Sequence, residues 1–255
     1  MKQGFLKAPA IIFVAAVVTA ATLDAQRGGP PPTPRQAAPS DLTGYWVSLV
    51  TEDWRYRVVT PPKGDYGSVP LNPAGRKAAD GWDPARDAAS GEQCRAFGVG
   101  GVMRLPGRLH ITWPDDRTLK IETDAGSQVR TLSFGDSPAA PADWQGVSRA
   151  SWDRGDSPLA GGLFFGGGRP GAASLKVVTT GMKPGYLRRN GVPYSATAVI
   201  TEYFDRFETT GGEPLLVIAT EVADPTYLAQ PFWTSTHFKR QPDATGWKPT
   251  PCSAQ

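Results

Sequence analysis

About ten short runs of aromatic and β-branched residues, each closed by a glycine or proline turn, commit this chain to a sheet. They occupy residues 44–50 (GYWVSLV), 54–59 (WRYRVV), 109–113 (LHITW), 119–124 (LKIETD), 128–134 (QVRTLSF), 144–152 (WQGVSRASW), 175–180, 197–207 (TAVITEYFDRF), 215–222 (LLVIATEV) and 234–240. Pro114-Asp115-Asp116, Ala125-Gly126 and Gly211-Gly212 supply hairpin turns. With 29 glycines and 25 prolines, long helices have little room. Only residues 73–80, with Asn72 as N-cap and Pro73 at the first position, and residues 84–89 read as helical turns. The expected fold is all-β: a closed or nearly closed antiparallel barrel, or a strongly curved sheet, of about nine or ten strands with one or two short helices.

Residues 1–25 carry the pattern of a secretory signal peptide. Lys2 and Lys7 precede an apolar stretch at 10–21, and Leu23-Asp24-Ala25 ends in a small residue suited to cleavage. That stretch is too short to span a bilayer, so no stable membrane insertion is expected after cleavage. Residues 26–40 (QRGGPPPTPRQAAPS) form a Pro- and Gly-rich linker, expected to be disordered or extended. Residues 41–255 then form one β-barrel-like domain. The expected destination is periplasmic or extracellular, and there two lone cysteines, Cys94 and Cys252, are expected to form a disulfide. A formal charge of +3 with scattered Lys and Arg argues against a nucleic-acid partner. Oligomeric state stays open.

Several stretches resemble a family of secreted bacterial proteins without an established activity, across residues 41–252. They are DLTGYWVSLVTEDWRYR (41–57), PGRLHITWPDDRTLKIETDAG (106–126), WQGVSRASW (144–152), RRNGVPYS (188–195), TEYFDR (201–206) and DPTYLAQPF (224–232). At the level of architecture, Gly44-Tyr45-Trp46 is similar to the G-x-W of the first strand in lipocalin-type, or calycin, barrels. That resemblance implies a Trp46 closing the barrel floor beneath a basic residue of a late strand, Arg240 or Arg206, by a cation–π contact. A lipocalin-like chain would also carry a helix after its last strand, whereas residues 241–255 are rich in proline.

With only His110 and His237 in the chain, and neither HxH nor HExxH spacing, no metal is expected, and no fingerprint for a cofactor is present. Alternation places Ile200, Glu202, Phe204 and Arg206 on one face of their strand and Tyr203, Asp205 and Phe207 on the other. A carboxylate sharing a face with large apolar residues needs a partner on a neighbouring strand. Arg130 against Glu202, and Asp124 against Arg206, are the pairings this suggests. Glu202 would then be an acid or base, Tyr203 or Tyr194 an assistant, and Arg130 or Arg206 an anion stabiliser. Trp46, Trp113, Trp144, Trp152 and Phe204 are candidates for lining an apolar site, with Asp124 and Tyr194 adding polar contacts. The loop at 161–171 (GGLFFGGGRPG) reads either as an ordinary loop docking Phe164 and Phe165 on the core or as a lid over an apolar cavity.

Three functions follow as expectations. The first is an exported barrel that binds a small, largely apolar or aromatic ligand in its interior. The second is a cofactor-independent lyase, hydratase or isomerase using the buried carboxylate and arginines. The third is a non-catalytic envelope or interaction protein.

Overall fold

A computed structural model describes residues 30–136, 141–153 and 174–254. The segment at 1–25, where a signal peptide is expected, and the loop at 161–171 lie outside the described residues.

In chain order the strands are β1 (Gly44–Leu49), β2 (Arg108–Thr112), β3 (Thr118–Thr123), β4 (Val129–Phe134), β5 (Val147–Asp153), β6 (Ser174–Thr180), β7 (Gly185–Arg188), β8 (Val192–Tyr194), β9 (Val199–Glu208), β10 (Pro214–Ala223) and β11 (Phe232–Gln241). Nine of them close a barrel in the order β1-β11-β10-β9-β6-β5-β4-β3-β2, and β7–β8 is a separate hairpin. Closure pairs Trp46 of β1 with Arg240 of β11 on one side and with Leu109 of β2 on the other. One seam departs from the expected antiparallel sheet: β4 and β5 run parallel, with Leu132 opposite Ser148. A parallel pair needs a crossover about a dozen residues long, and the segment between Phe134 and Val147 is of that order.

Alternating side chains fill the middle of the barrel. Trp46, Ile111, Leu119, Ile121, Leu132, Leu175, Val177, Leu216 and Ile218 have no accessible surface at all. Zero accessible area also excludes a water-sized void beside them, so packed side chains occupy this level of the barrel. Each contributes about 1.5–3 kcal/mol of burial free energy. Trp46 forms the floor implied by its G-x-W setting: the Arg240 guanidinium lies 5.6 Å from its ring, and the Trp46 indole donates to the Leu42 carbonyl. Gly44 adopts φ 105°, and a Cβ there would come within 3.1 Å of Arg240 Nη2. Among the described residues no helix follows β11; the tail runs over the barrel as an irregular strap, tied by the Cys94–Cys252 disulfide.

The segment 54–105 and the β7–β8 hairpin cap the end of the barrel where β9 and β11 begin. Here α2 (Pro73–Asp80) and α3 (Pro84–Ala89) form where their proline starts and Asn72 and Asp83 caps indicate. A second core of Val99, Leu187, Val192, Tyr194 and Leu228 joins this cap to Ile200, Val222 and Phe232 of the barrel wall.

Two further expectations are corrected. Residues 54–59 do not continue as a strand. Asp53 turns left-handed at φ 50°, and α1 (Trp54–Arg57) follows, because Arg57 is drawn inward to Glu52 and to the Arg104 carbonyl. The described part of the linker is not free chain either: residues 33–37 form a turn, and the Pro34 carbonyl accepts from the Trp152 indole at 2.8 Å.

Candidate functional site

Arg130 on β4 and Glu202 on β9 meet inside the barrel. Their strands are separated by β5 and β6, so the pair spans the lumen. Arg130 Nη1 donates to Glu202 Oε1 at 3.0 Å and Nη2 to Oε2 at 2.5 Å, with both side chains at 1% exposure or less. Tyr194 belongs to the core of the cap and feels the Arg130 charge, and Gly98, Gly100 and Gly185 leave no space for a Cβ beside its ring. Burial raises the Tyr194 pKa well above the ordinary phenol range, and the Arg130 charge opposes that shift. Ser148 and Thr179 satisfy each other at 2.8 Å in the barrel wall. Both carboxylate oxygens of Glu202 are thus engaged by one guanidinium.

The other sequence candidates are not gathered around this pair. Arg206 sits toward the opposite end of β9, bonded to Glu208 at 3.1 Å. Asp124 does not meet Arg206; its carboxylate accepts the Arg108 amide at 2.6 Å, in the turn that approaches the C-terminal tail. The expected Asp124–Arg206 pairing fails because Asp124 leaves the strand face and enters a helical turn. Tyr203 faces outward beside Lys176, whose ammonium lies 5.6 Å from its ring. Trp113 and Trp152 cluster with Phe134 at the end opposite the cap, with ring centroids 5.3–6.4 Å apart. Trp144 lies beside Lys183, and Phe204 is part of the packed core.

An open recess of about 620 Å³ lies instead at the capped end. Its walls are Asp53, residues 68–70 and residues 230–233. Pro70, Pro231, Phe232 and Trp233 make one side apolar, and Trp233 is 46% exposed. Two of its wall residues, Asp53 (φ 50°) and Ser68 (φ 64°), hold left-handed backbone without being glycine. Such strain costs of order 1–3 kcal/mol per residue and persists only where surrounding contacts impose it.

Those contacts are arginines. Arg104 Nη2 donates to the Asp53 carboxylate at 2.6 Å, and Arg188 Nη2 donates to Ser68 Oγ at 3.0 Å. Arg188 also donates to the Gly67 carbonyl at 2.7 Å and stacks 3.9 Å above the Tyr56 ring. Arg57 pairs with Glu52, and Arg189 donates to the carbonyls of Arg57 and Val58. Burial depresses the pKa of all four guanidinium groups, and for Arg188 the charge of Arg104 adds to it, down to about 10. Among the described residues, neither Arg188 nor Arg189 has a carboxylate within ion-pair distance.

None of the arginines at 57, 104, 188 and 189, nor Trp233, was singled out as a site residue from the sequence. Two lie in RRNG (188–191) and one in DWRYR (53–57), but only the folded cap brings these segments together. Among the described residues, no group of three His, Cys, Asp or Glu side chains could hold a metal ion, and no helix is long and apolar enough to cross a membrane. No protein-family model matches the chain, and no curated protein or solved structure is significantly similar to it.

Proposed function

We propose that this chain is an exported barrel protein that binds a small, flat, largely apolar molecule in the recess at its capped end. The observation that carries the reading is the exposed Trp233 set beside Phe232, Pro70 and Pro231 in an open recess of about 620 Å³. Ligand sites fall in this size range, and the recess wall combines Phe232 and Trp233 with the polar side chains of Asp53, Ser68 and Gln230. The packed level of the barrel around Ile121 and Ile218 offers no comparable room, so the binding site expected in the lumen is assigned to the mouth. Export rests on the leader pattern at 1–25 and is supported by the Cys94–Cys252 bridge, which suits an oxidising compartment. The resemblance to secreted bacterial proteins points the same way. Catalysis at Glu202 has less support, because the carboxylate and its guanidinium partner are buried at 1% exposure or less, out of reach of a substrate in the recess.

A neutral aromatic probe, N-phenyl-naphthylamine, tests this directly by its fluorescence on titration into the protein. It is expected to bind, and Trp233→Ala is expected to weaken binding about tenfold, the equivalent of about 1.4 kcal/mol for one aromatic contact. Unchanged binding by Trp233→Ala, or none by the unmodified protein, overturns the recess as the site.

A further inference from the structure

We infer that the ligand of this recess carries an oxyanion, a sulfonate, phosphate or carboxylate, and that Arg188 is the residue that selects it. The inference rests on the recess being the binding site and names the class of molecule it takes.

Arg104 and Arg57 face Asp53 and Glu52, and Arg55 faces Asp65. Arg188 is 5% exposed, yet its hydrogen-bond partners are a carbonyl and a hydroxyl. Asp53 and Asp65 act on this guanidinium only from beyond ion-pair distance; a buried cation with no anion in contact is costly, so an oxyanion arriving beside it gains more than it would at the surface. Nitrogens on this cluster also remain unused: Arg57 Nη2, Arg104 Nη1 and Arg188 Nε are buried without a protein partner among the described residues.

Position makes the same case. Arg188 reaches the recess through Ser68, whose hydroxyl it holds and whose backbone is left-handed. Asp53, the other left-handed wall residue, is held by Arg104. Each strained wall residue is therefore anchored to a guanidinium behind the wall. An oxyanion can take over from Ser68 Oγ as the partner of Arg188, exchanging a neutral hydrogen bond for a charge-assisted one. Its flat apolar body then rests against Phe232 and Trp233.

The experiment compares two probes with the same aromatic skeleton, anilinonaphthalene sulfonate and its neutral twin N-phenyl-naphthylamine, and reads the ratio of their affinities. The unmodified protein is expected to prefer the sulfonate about tenfold or more, as a charge-assisted bond at a shielded site would give. Added salt should shrink the preference only partly, because the guanidinium is buried. Arg188→Met is expected to bring the ratio to within about twofold of unity. Ser68→Gly, a change in an exposed turn that tolerates glycine, frees Nη2 of Arg188 and is expected to widen the ratio. If circular dichroism shows Arg188→Met unfolded, the glycine variant decides, and an unchanged or smaller ratio overturns the inference. Equal affinity of the unmodified protein for both probes overturns the oxyanion while leaving the recess. Full preference in folded Arg188→Met overturns the assignment to that residue. Sulfonate binding insensitive to Trp233→Ala places the probe elsewhere and also overturns it. Binding of neither probe removes the recess reading itself.

Discussion

Arg130 and Glu202 show what one residue can and cannot say about function. Each is buried and bonded to the other twice, across two intervening strands. Removing one partner of such a pair strands a charge in the interior, whereas replacing both with apolar groups is often neutral or stabilising. Glu202→Gln is therefore expected to destabilise the fold by about 3–5 kcal/mol, and Arg130→Met/Glu202→Leu to recover most of that loss. Denaturant midpoints of the single and double variants measure it. A double variant no more stable than Glu202→Gln would show that the pair stabilises the barrel beyond the cost of burying its charges. The same reasoning separates Arg188 from Arg130, since both are buried and only one has a carboxylate.

At the scale of elements, Glu52 ties three pieces together. It lies between β1 and α1, and its carboxylate meets Arg57 of α1, Thr51 and Nδ1 of His237 on β11, the last at 2.9 Å. Burial pushes its pKa up, but the hydrogen bonds from His237 and Thr51 and the Arg57 charge outweigh it and hold the group at about 2 against an ordinary 4.5. A carboxyl depressed on folding contributes stability above its unfolded pKa and loses it as pH falls through the folded one. The cap should therefore weaken between about pH 4.5 and pH 2, by on the order of 1 kcal/mol once solvent screening of this partly exposed group is allowed for. Urea midpoints across that window should fall less for Glu52→Gln than for the unmodified protein. Parallel falls would assign the titration to other groups. The strain at Asp53, one residue on, depends on the same tether, so loosening this link should also loosen the recess.

For the molecule as a whole, the Cys94–Cys252 disulfide joins the cap to the C-terminal strap across 158 residues of sequence. The strap is also held by Thr250, whose amide donates to the Asp124 carbonyl at 2.8 Å, and by Trp247, set edge-on to Tyr45. Closing so long a loop restricts the unfolded chain, with a ceiling of about 5 kcal/mol. Cys94→Ser/Cys252→Ser is expected to lower unfolding free energy by about 2–5 kcal/mol. An unchanged denaturation midpoint would show that the strap holds without the bridge. Much of this architecture could be read from local signals. Two-residue alternation in 119–123 and 199–207, the proline-initiated turns at 73 and 84, and the Gly-x-Trp floor depend on near neighbours in the chain or on side-chain parity, and all are present in the structure. The parallel β4–β5 seam, the helical turn at 54–57 and the pairing of Asp124 with Arg108 were not legible, because each is settled by contacts made from elsewhere in the chain. The sequence by itself pointed to a barrel or strongly curved β sheet with one disulfide, and suggested Arg130–Glu202 as one of two buried pairings, of which Asp124–Arg206 does not form. Only the tertiary structure decided where a ligand could sit, because the arginines and aromatic side chains around the recess come from segments more than a hundred residues apart and acquire common chemistry only when the cap folds over the barrel.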